Sequence, residues 1–162
     1  MSVAGTWTMR PSILETLTSG VAGASDKNIL HDQYKTEATL NATSTPAISQ
    51  VSSFLATLSG GALSVDLTAL TGAGGAALDL SGLKVQGLYL EVSAGDSPMT
   101  FVTGASNGYD FGGLATWSVT LTAGESAMFF WNETSDDVSG TDKIMDISGT
   151  GTDTCEICII AG

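Results

Sequence analysis

The sequence predicts an all-β domain, an antiparallel β-sandwich of jelly-roll type with an extended N-terminal arm. Three observations lead there. From Tyr34 onward, polar and apolar residues alternate in short runs that stop at glycine-rich turns. The last residues, Asp153-Thr-Cys-Glu-Ile-Cys-Ile-Ile-Ala-Gly162, read as a strand whose apolar face needs neighbouring strands to cover it. Charged residues are only 14% of the chain against 43% apolar. Ser, Thr and Gly replace the missing charge, which suits strands with hydroxyl-bearing outer faces and not solvated helices.

Residues 1–33 read as the arm and 34–162 as the sandwich domain. In the arm, Pro11-Ser-Ile-Leu-Glu-Thr-Leu17 has the pattern of one helical turn, with Ser12 as cap and Glu15 three residues on. Ser19-Gly20 and Gly23-Ala-Ser25 cut it short, so the segment is expected to find its order by lying on another surface. Strands are predicted at 34–42, 48–58, 63–70, 83–93, 99–103, 116–122, 127–132, 143–148 and 154–161. The apolar spacing of 47–58 also fits an amphipathic helix. Short strands separated by glycine turns, with no helices between them, point to a sandwich and away from parallel β-α-β units. A chain of 162 residues is enough for one such domain, burying roughly 70% of its unfolded surface.

Alternation assigns faces. Leu83, Val85 and Gly87 share one parity, and Leu88, Leu90 and Val92 take the other, a phase change that a bulge at Gly87 would produce. Trp117, Val119 and Leu121 point inward. Ala127-Met-Phe-Phe-Trp131 is apolar on both faces, which predicts a central strand or one covered by a neighbouring subunit. Together with the apolar residues of the arm, this marks Trp7, Ile13, Leu14, Leu17, Met128, Phe129, Phe130 and Trp131 as candidate intersubunit contacts.

Seventeen acidic residues face five basic ones, for a net charge of −12. So few cations argue against binding to nucleic acid or to an anionic membrane surface. The imbalance is uneven. Arg10, Lys27 and Lys35 nearly balance Glu15, Asp26, Asp32 and Glu37 within the first forty residues, and the acidity falls on the remainder. Met1-Ser-Val-Ala-Gly5 has no basic leader, and no apolar run approaches the ~18 residues of a membrane span. Synthesis in a cytoplasm is therefore expected, with the sequons at Asn41 and Asn132 incidental and Cys155 and Cys158 reduced.

Motifs that carry chemistry lack their partners. Cys155-Glu-Ile-Cys158 has no further ligands for zinc and no following helix for redox work, and in a strand the two thiols face opposite ways, one buried and one outward. The carboxylates of Asp136, Asp137, Asp142 and Asp146 gather around a turn without the spacing of a calcium loop. Gly72-Ala-Gly-Gly75 has no Lys-Ser or Lys-Thr after it to complete a phosphate cradle. His31 is the sole imidazole, and there is no G-x-S-x-G elbow. No catalytic residue, metal or cofactor is assigned. Among the aromatic residues, Tyr109 in Asn107-Gly-Tyr-Asp-Phe111 is the best placed for exposure as a sugar platform, and the plainer reading is that it anchors its own loop.

Asp66-Leu-Thr-Ala-Leu70, Gly82-Leu-Lys-Val-Gln-Gly-Leu-Tyr-Leu90, Leu121-Thr-Ala-Gly-Glu125, the run from Asp142 to Asp153 and Ile159-Ile-Ala-Gly162 resemble small β-rich virion proteins of tailed bacteriophages. The likeness covers residues 60–162. It implies a structural component of the particle without catalytic residues, most closely a capsid decoration (cement) protein that binds the major capsid protein on the capsid surface. It also implies self-association as a homotrimer. A receptor- or glycan-binding module of a head or tail fibre, or a tail or neck subunit, is the alternative.

Overall fold

The computed structural model describes residues 4–9, 13–17, 27–31, 36–45, 47–72, 75–131 and 134–162. Nearly all regular structure among them is antiparallel β. The strands are β1 (Ala4–Met9), β2 (Ile13–Leu17), β3 (Lys27–His31), β4 (Thr36–Asn41), β5 (Gln50–Thr57), β6 (Ala62–Asp66), β7 (Leu70–Thr71), β8 (Ala77–Leu78), β9 (Val85–Val92), β10 (Met99–Thr103), β11 (Ser118–Leu121), β12 (Ser126–Phe130), β13 (Ile144–Ser148) and β14 (Thr154–Ala161). A short 3-10 turn lies at Phe111–Gly113.

Eight strands build two four-stranded sheets, β12-β9-β14-β5 and β11-β10-β13-β6. Both contribute to one continuous core. Leu88, Leu90, Ile157 and Ile159 enter it from the first sheet, and Phe101, Leu121, Met145 and Ile147 from the second. Burying each such side chain stabilises the fold by about 1.5–3 kcal/mol relative to exposure. The period of two that the sequence shows is therefore what the core demands: along β14, Cys155, Ile157, Ile159 and Ala161 are buried while their neighbours face out.

Pairing decides where spacing was ambiguous. β5 is a strand in register with β14 over all eight residues, from Gln50 opposite Ala161 to Thr57 opposite Thr154. The bulge expected near Gly87 is present. Gly87 pairs with Ile160 but Val85 pairs with Ala161, leaving Gln86 as the extra residue. Trp117 and Leu121 are buried, and Val119 packs against the core.

β12 corrects an expectation. It lies at the edge of its sheet, paired on one side to β9, and not at the centre. Its two apolar faces have different uses. Ala127 and Phe129 stand opposite Leu90 and Leu88 and face the core, whereas Met128 and Phe130 stand opposite Tyr89 and Gly87 on the outer face.

The N-terminal residues are also more ordered in pairing than a lone arm. β1 pairs with β4 and β2 with β3, nested as in a single hairpin. Ile13–Leu17 is a strand, so the helical turn expected from Glu15 does not form; Pro11 and Ser12 lie outside the described residues. A partner strand pairs the backbone groups of every other residue, bonds that so short a helix would largely leave unmade. The β1–β4 pairing joins residues on both sides of the boundary placed at residue 33. At the end of β4, the Asn41 side chain accepts from Thr43 N–H and Oγ1, both at 2.8 Å, and Ile48 N–H donates to Asn41 O at 3.0 Å. This tight turn joins the ribbon to β5.

Candidate functional site

The outer faces of the two sheets are built from the positions that alternation leaves over. On the second sheet they are mainly hydroxyls and carboxylates, with Val102 also in the set. Thr100 and Thr120 meet at 2.9 Å, Ser64 Oγ donates to Asp146 Oδ1 at 2.5 Å, and the other Asp146 oxygen accepts from Ala105 N–H at 2.9 Å. Lys143 Nζ pairs with Asp66 Oδ2 at 2.7 Å. Burial raises the proton affinity of Asp66, but Lys143 and Thr68 outweigh it and hold the carboxyl below its usual range.

On the first sheet many of the same positions are apolar, Val51, Leu55, Tyr89, Met128 and Ile160 with the thiol of Cys158, and Ser53, Thr57 and Ser126 are among the polar ones. Thr6 and Thr8 of β1, with Leu40 and Ile48, stand over part of this face. They enclose a groove of about 440 Å³ floored by Gly87, Tyr89, Met128, Cys158 and Ile160. Gly87 lets Ile160 pack over β9, since a Cβ there would sit 3.3 Å from Ile160 Cδ1. Near Tyr89 the face turns polar. Glu91 and Glu156 stand opposite each other across β9 and β14. Tyr89 donates to the Glu91 carboxylate, and that bond, with burial, holds the phenol proton more tightly than usual.

An aromatic cluster closes the core beside β12. Phe111 meets Tyr109 edge-on at 4.9 Å, Trp117 at 4.8 Å and Trp131 at 5.5 Å, and Phe129 stacks on Trp131 at 5.6 Å. Gly112 has φ +64°, and a Cβ there would lie 2.4 Å from the Trp131 ring, so glycine is needed both for the turn and for the approach. Tyr109 is fully buried, which overturns its reading as an exposed sugar platform. Its hydroxyl accepts from Val85 N–H at 2.9 Å and donates to Asp136 O at 2.6 Å, and burial pushes its pKa up to about 12. It anchors its loop because Asn107, at φ +53°, and Gly108 turn the chain inward just before it.

The candidate contacts thus separate. Trp7 stands opposite Ala38 in the ribbon, and Ile13, Leu14 and Leu17 stand opposite His31, Leu30 and Lys27; their side chains lie outside the described residues. Met128 is 40% exposed on the outer face, while Phe129 and Trp131 pack within the protein's own aromatic cluster. Spacing alone did not single out Leu55, Cys158 and Ile160, which share the outer face with Met128. Their alternation with buried residues was visible, but which of the two faces of each strand another segment would cover was not.

The remaining motifs are spent on structure. Cys155 is in the core with its pKa pushed by burial to about 11, and Cys158 faces the groove, its thiol also raised by burial. Asp142 accepts from Ser139 and Thr141, on a different turn from the contacts of Asp146. No group of three or more His, Cys, Asp or Glu among the described residues is arranged to hold a metal ion. Gly72 and Gly75 N–H donate to Ala76 O and Gly72 O, closing the β7–β8 turn. No helix among the described residues is long and apolar enough to cross a membrane. Comparison of the chain with family models, with curated proteins and with solved structures finds no match.

Proposed function

We propose that this chain is a structural protein of a virus particle, a decoration protein that binds the major capsid protein on the outside of a phage capsid and stabilises it. One observation carries the reading: the body has two unlike outer faces, one of hydroxyls and carboxylates suited to water, the other apolar and partly roofed by a β-ribbon. A protein that coats a particle needs this division between a docking side and a solvent side. The strand orders also support a jelly-roll β-sandwich. Numbered as eight successive strands, they read 6-3-8-1 and 5-4-7-2, the arrangement of two interlocked Greek keys. That architecture recurs in viral capsid domains, although fold alone does not fix function. The ribbon, on this reading, is the arm that reaches onto neighbouring capsid subunits, and the homotrimer belongs to the same proposal.

Light scattering on a sizing column, with and without expanded capsids, tests it. Co-elution with capsids and a rise in their heat resistance are expected, and both should fall for Met128→Asp. A protein that ignores capsids rejects the reading. Jelly rolls also serve as lectin domains, so glycan screening would then follow, without Tyr109 as the contact.

A further inference from the structure

We propose that the free edge of β5 is a self-pairing surface through which two copies of this chain join by an antiparallel β5–β5 ladder. This does not depend on the virion reading. β5 is the outermost strand of the first sheet and pairs only with β14. It has eight residues, against five for β6, four for β11 and five for β12, the other outer strands of the two sheets.

Parity shows which backbone groups are left over. Leu58 N–H donates to Asp153 O at 2.9 Å, while Thr154 O is used by Ser93 N–H on the other side of β14. Hydrogen bonding alternates along an antiparallel strand. Ser52, Phe54 and Ala56 therefore direct their backbone groups to β14, and Val51, Ser53, Leu55 and Thr57 direct theirs away from the sheet. β7 lies against β5, where the inward Ser52 hydroxyl donates to Thr71 O at 2.7 Å and Phe54 and Leu55 border a pocket with Leu70 and Thr71. Among the described residues, no backbone hydrogen bond from β7 reaches the outward groups. Ser53, Leu55 and Thr57 stay exposed, and Leu55, at 62%, is the most exposed large apolar side chain among the described residues.

Natural sheets protect such edges with charges, proline, bulges or short strands. β5 has none of these. Gln50-Val-Ser-Ser-Phe-Leu-Ala-Thr57 carries no charge and no proline, and its register with β14 is unbroken. Electrostatics names the occupant. Each copy carries −12, so most contacts between two copies would oppose carboxylates. From Ala38 to Val65 there is no charged residue at all. A second copy in antiparallel orientation matches this edge in length and neutrality. With Ser53 on the twofold axis, Leu55 of each copy lies against Val51 of the other, removing both from water.

The test uses the full chain alone. Light scattering on a sizing column should give about twice the 16.4 kDa chain mass; a mass of three copies, which the homotrimer of the virion reading would give, overturns the pair. Ser53→Pro, which removes an outward N–H, and Leu55→Lys, which sets a charge against Val51 of the other copy, should each reduce it to one copy. Thr120→Lys, on the outer strand of the other sheet, should leave the pair intact. Hydrogen exchange on the unaltered protein gives an answer even if a variant misfolds: the amides of Val51, Ser53, Leu55 and Thr57 should be protected at concentrations where the pair forms and exchange freely on dilution. A single-copy mass at all concentrations, free exchange at these amides throughout, or an assembly that survives both variants overturns the proposal. So does protection that appears only when a different protein is added.

Discussion

The two sheets share one core, yet their outer faces differ in chemistry. On β10, β11 and β13, Thr100, Thr120, Ser148 and Asp146 face out, with Thr100 bonding Thr120 and Asp146 accepting from Ser64 and Ala105 N–H. On β9, β12 and β14, Tyr89, Met128 and Ile160 occupy the equivalent positions, beneath or beside β1. Both sheets obey the same period of two. The difference is whether the second face of each strand meets water or another piece of protein, and on the proposed function the first sheet is the docking side.

The core common to both faces sets the largest expected effect. Cys155 and Tyr109 hold their protons up to about 11 and about 12, above the unfolded values of 9.0 and 10.0, because burial disfavours the anions. The protonated forms are those the fold accommodates. The stability they contribute is complete below pH 9 and is lost as pH rises through 11 and 12. Urea titrations between pH 8 and 12 should show a fall of about 3–5 kcal/mol in total from the two groups. Cys155→Ala should remove the lower part of the fall and Tyr109→Phe the upper part.

A charge placed on each outer face tests the contrast itself. Ile160→Asp, in the groove floor, should cost about 2–4 kcal/mol in urea denaturation, whereas Thr120→Asp should change stability by no more than about 0.5 kcal/mol. Equal costs would mean that the two faces are equally wet. Tyr109→Phe at neutral pH comes next. It leaves Val85 N–H and Asp136 O without their partner and should cost about 1–3 kcal/mol. The smallest effect belongs to the wet side. Lys143→Met removes the partner of Asp66, a pair near the surface worth less than about 1 kcal/mol. Because Asp66 is held below its usual range, that contribution is present above pH ~4 and fades as the carboxyl is protonated, so the variant should lose part of the acid dependence as well.

Much of the body was legible because a two-sided strand must alternate. Thr154–Ala161 and Met99–Thr103 are found where alternation placed them, and the phase change around Gly87 marked the bulge to within one residue. Misreadings occurred where local pattern and tertiary partner compete. Ile13–Leu17 carries a helix-start signal, yet a facing strand makes it β. Of the two readings of Ala127–Trp131, a central strand or one covered by a neighbouring subunit, the first fails: it is an edge strand with the core under one face and an apolar outer surface on the other. Tyr109 is different: its plainer reading, as the anchor of its own loop, holds, because two backbone partners from distant segments draw it inside, and only the alternative of an exposed platform fails.

The sequence by itself determined the β class, the inward residues of most strands and the opposite facing of Cys155 and Cys158, because these follow from a period of two and the cost of exposing apolar surface. Only the tertiary structure decided which outer face stays apolar and partly roofed, which strands lie at sheet edges, and that β5 presents its unpaired backbone beside Leu55. Those properties depend on pairing between residues far apart in the chain, and no local pattern encodes which of two chemically similar strands will find a neighbour.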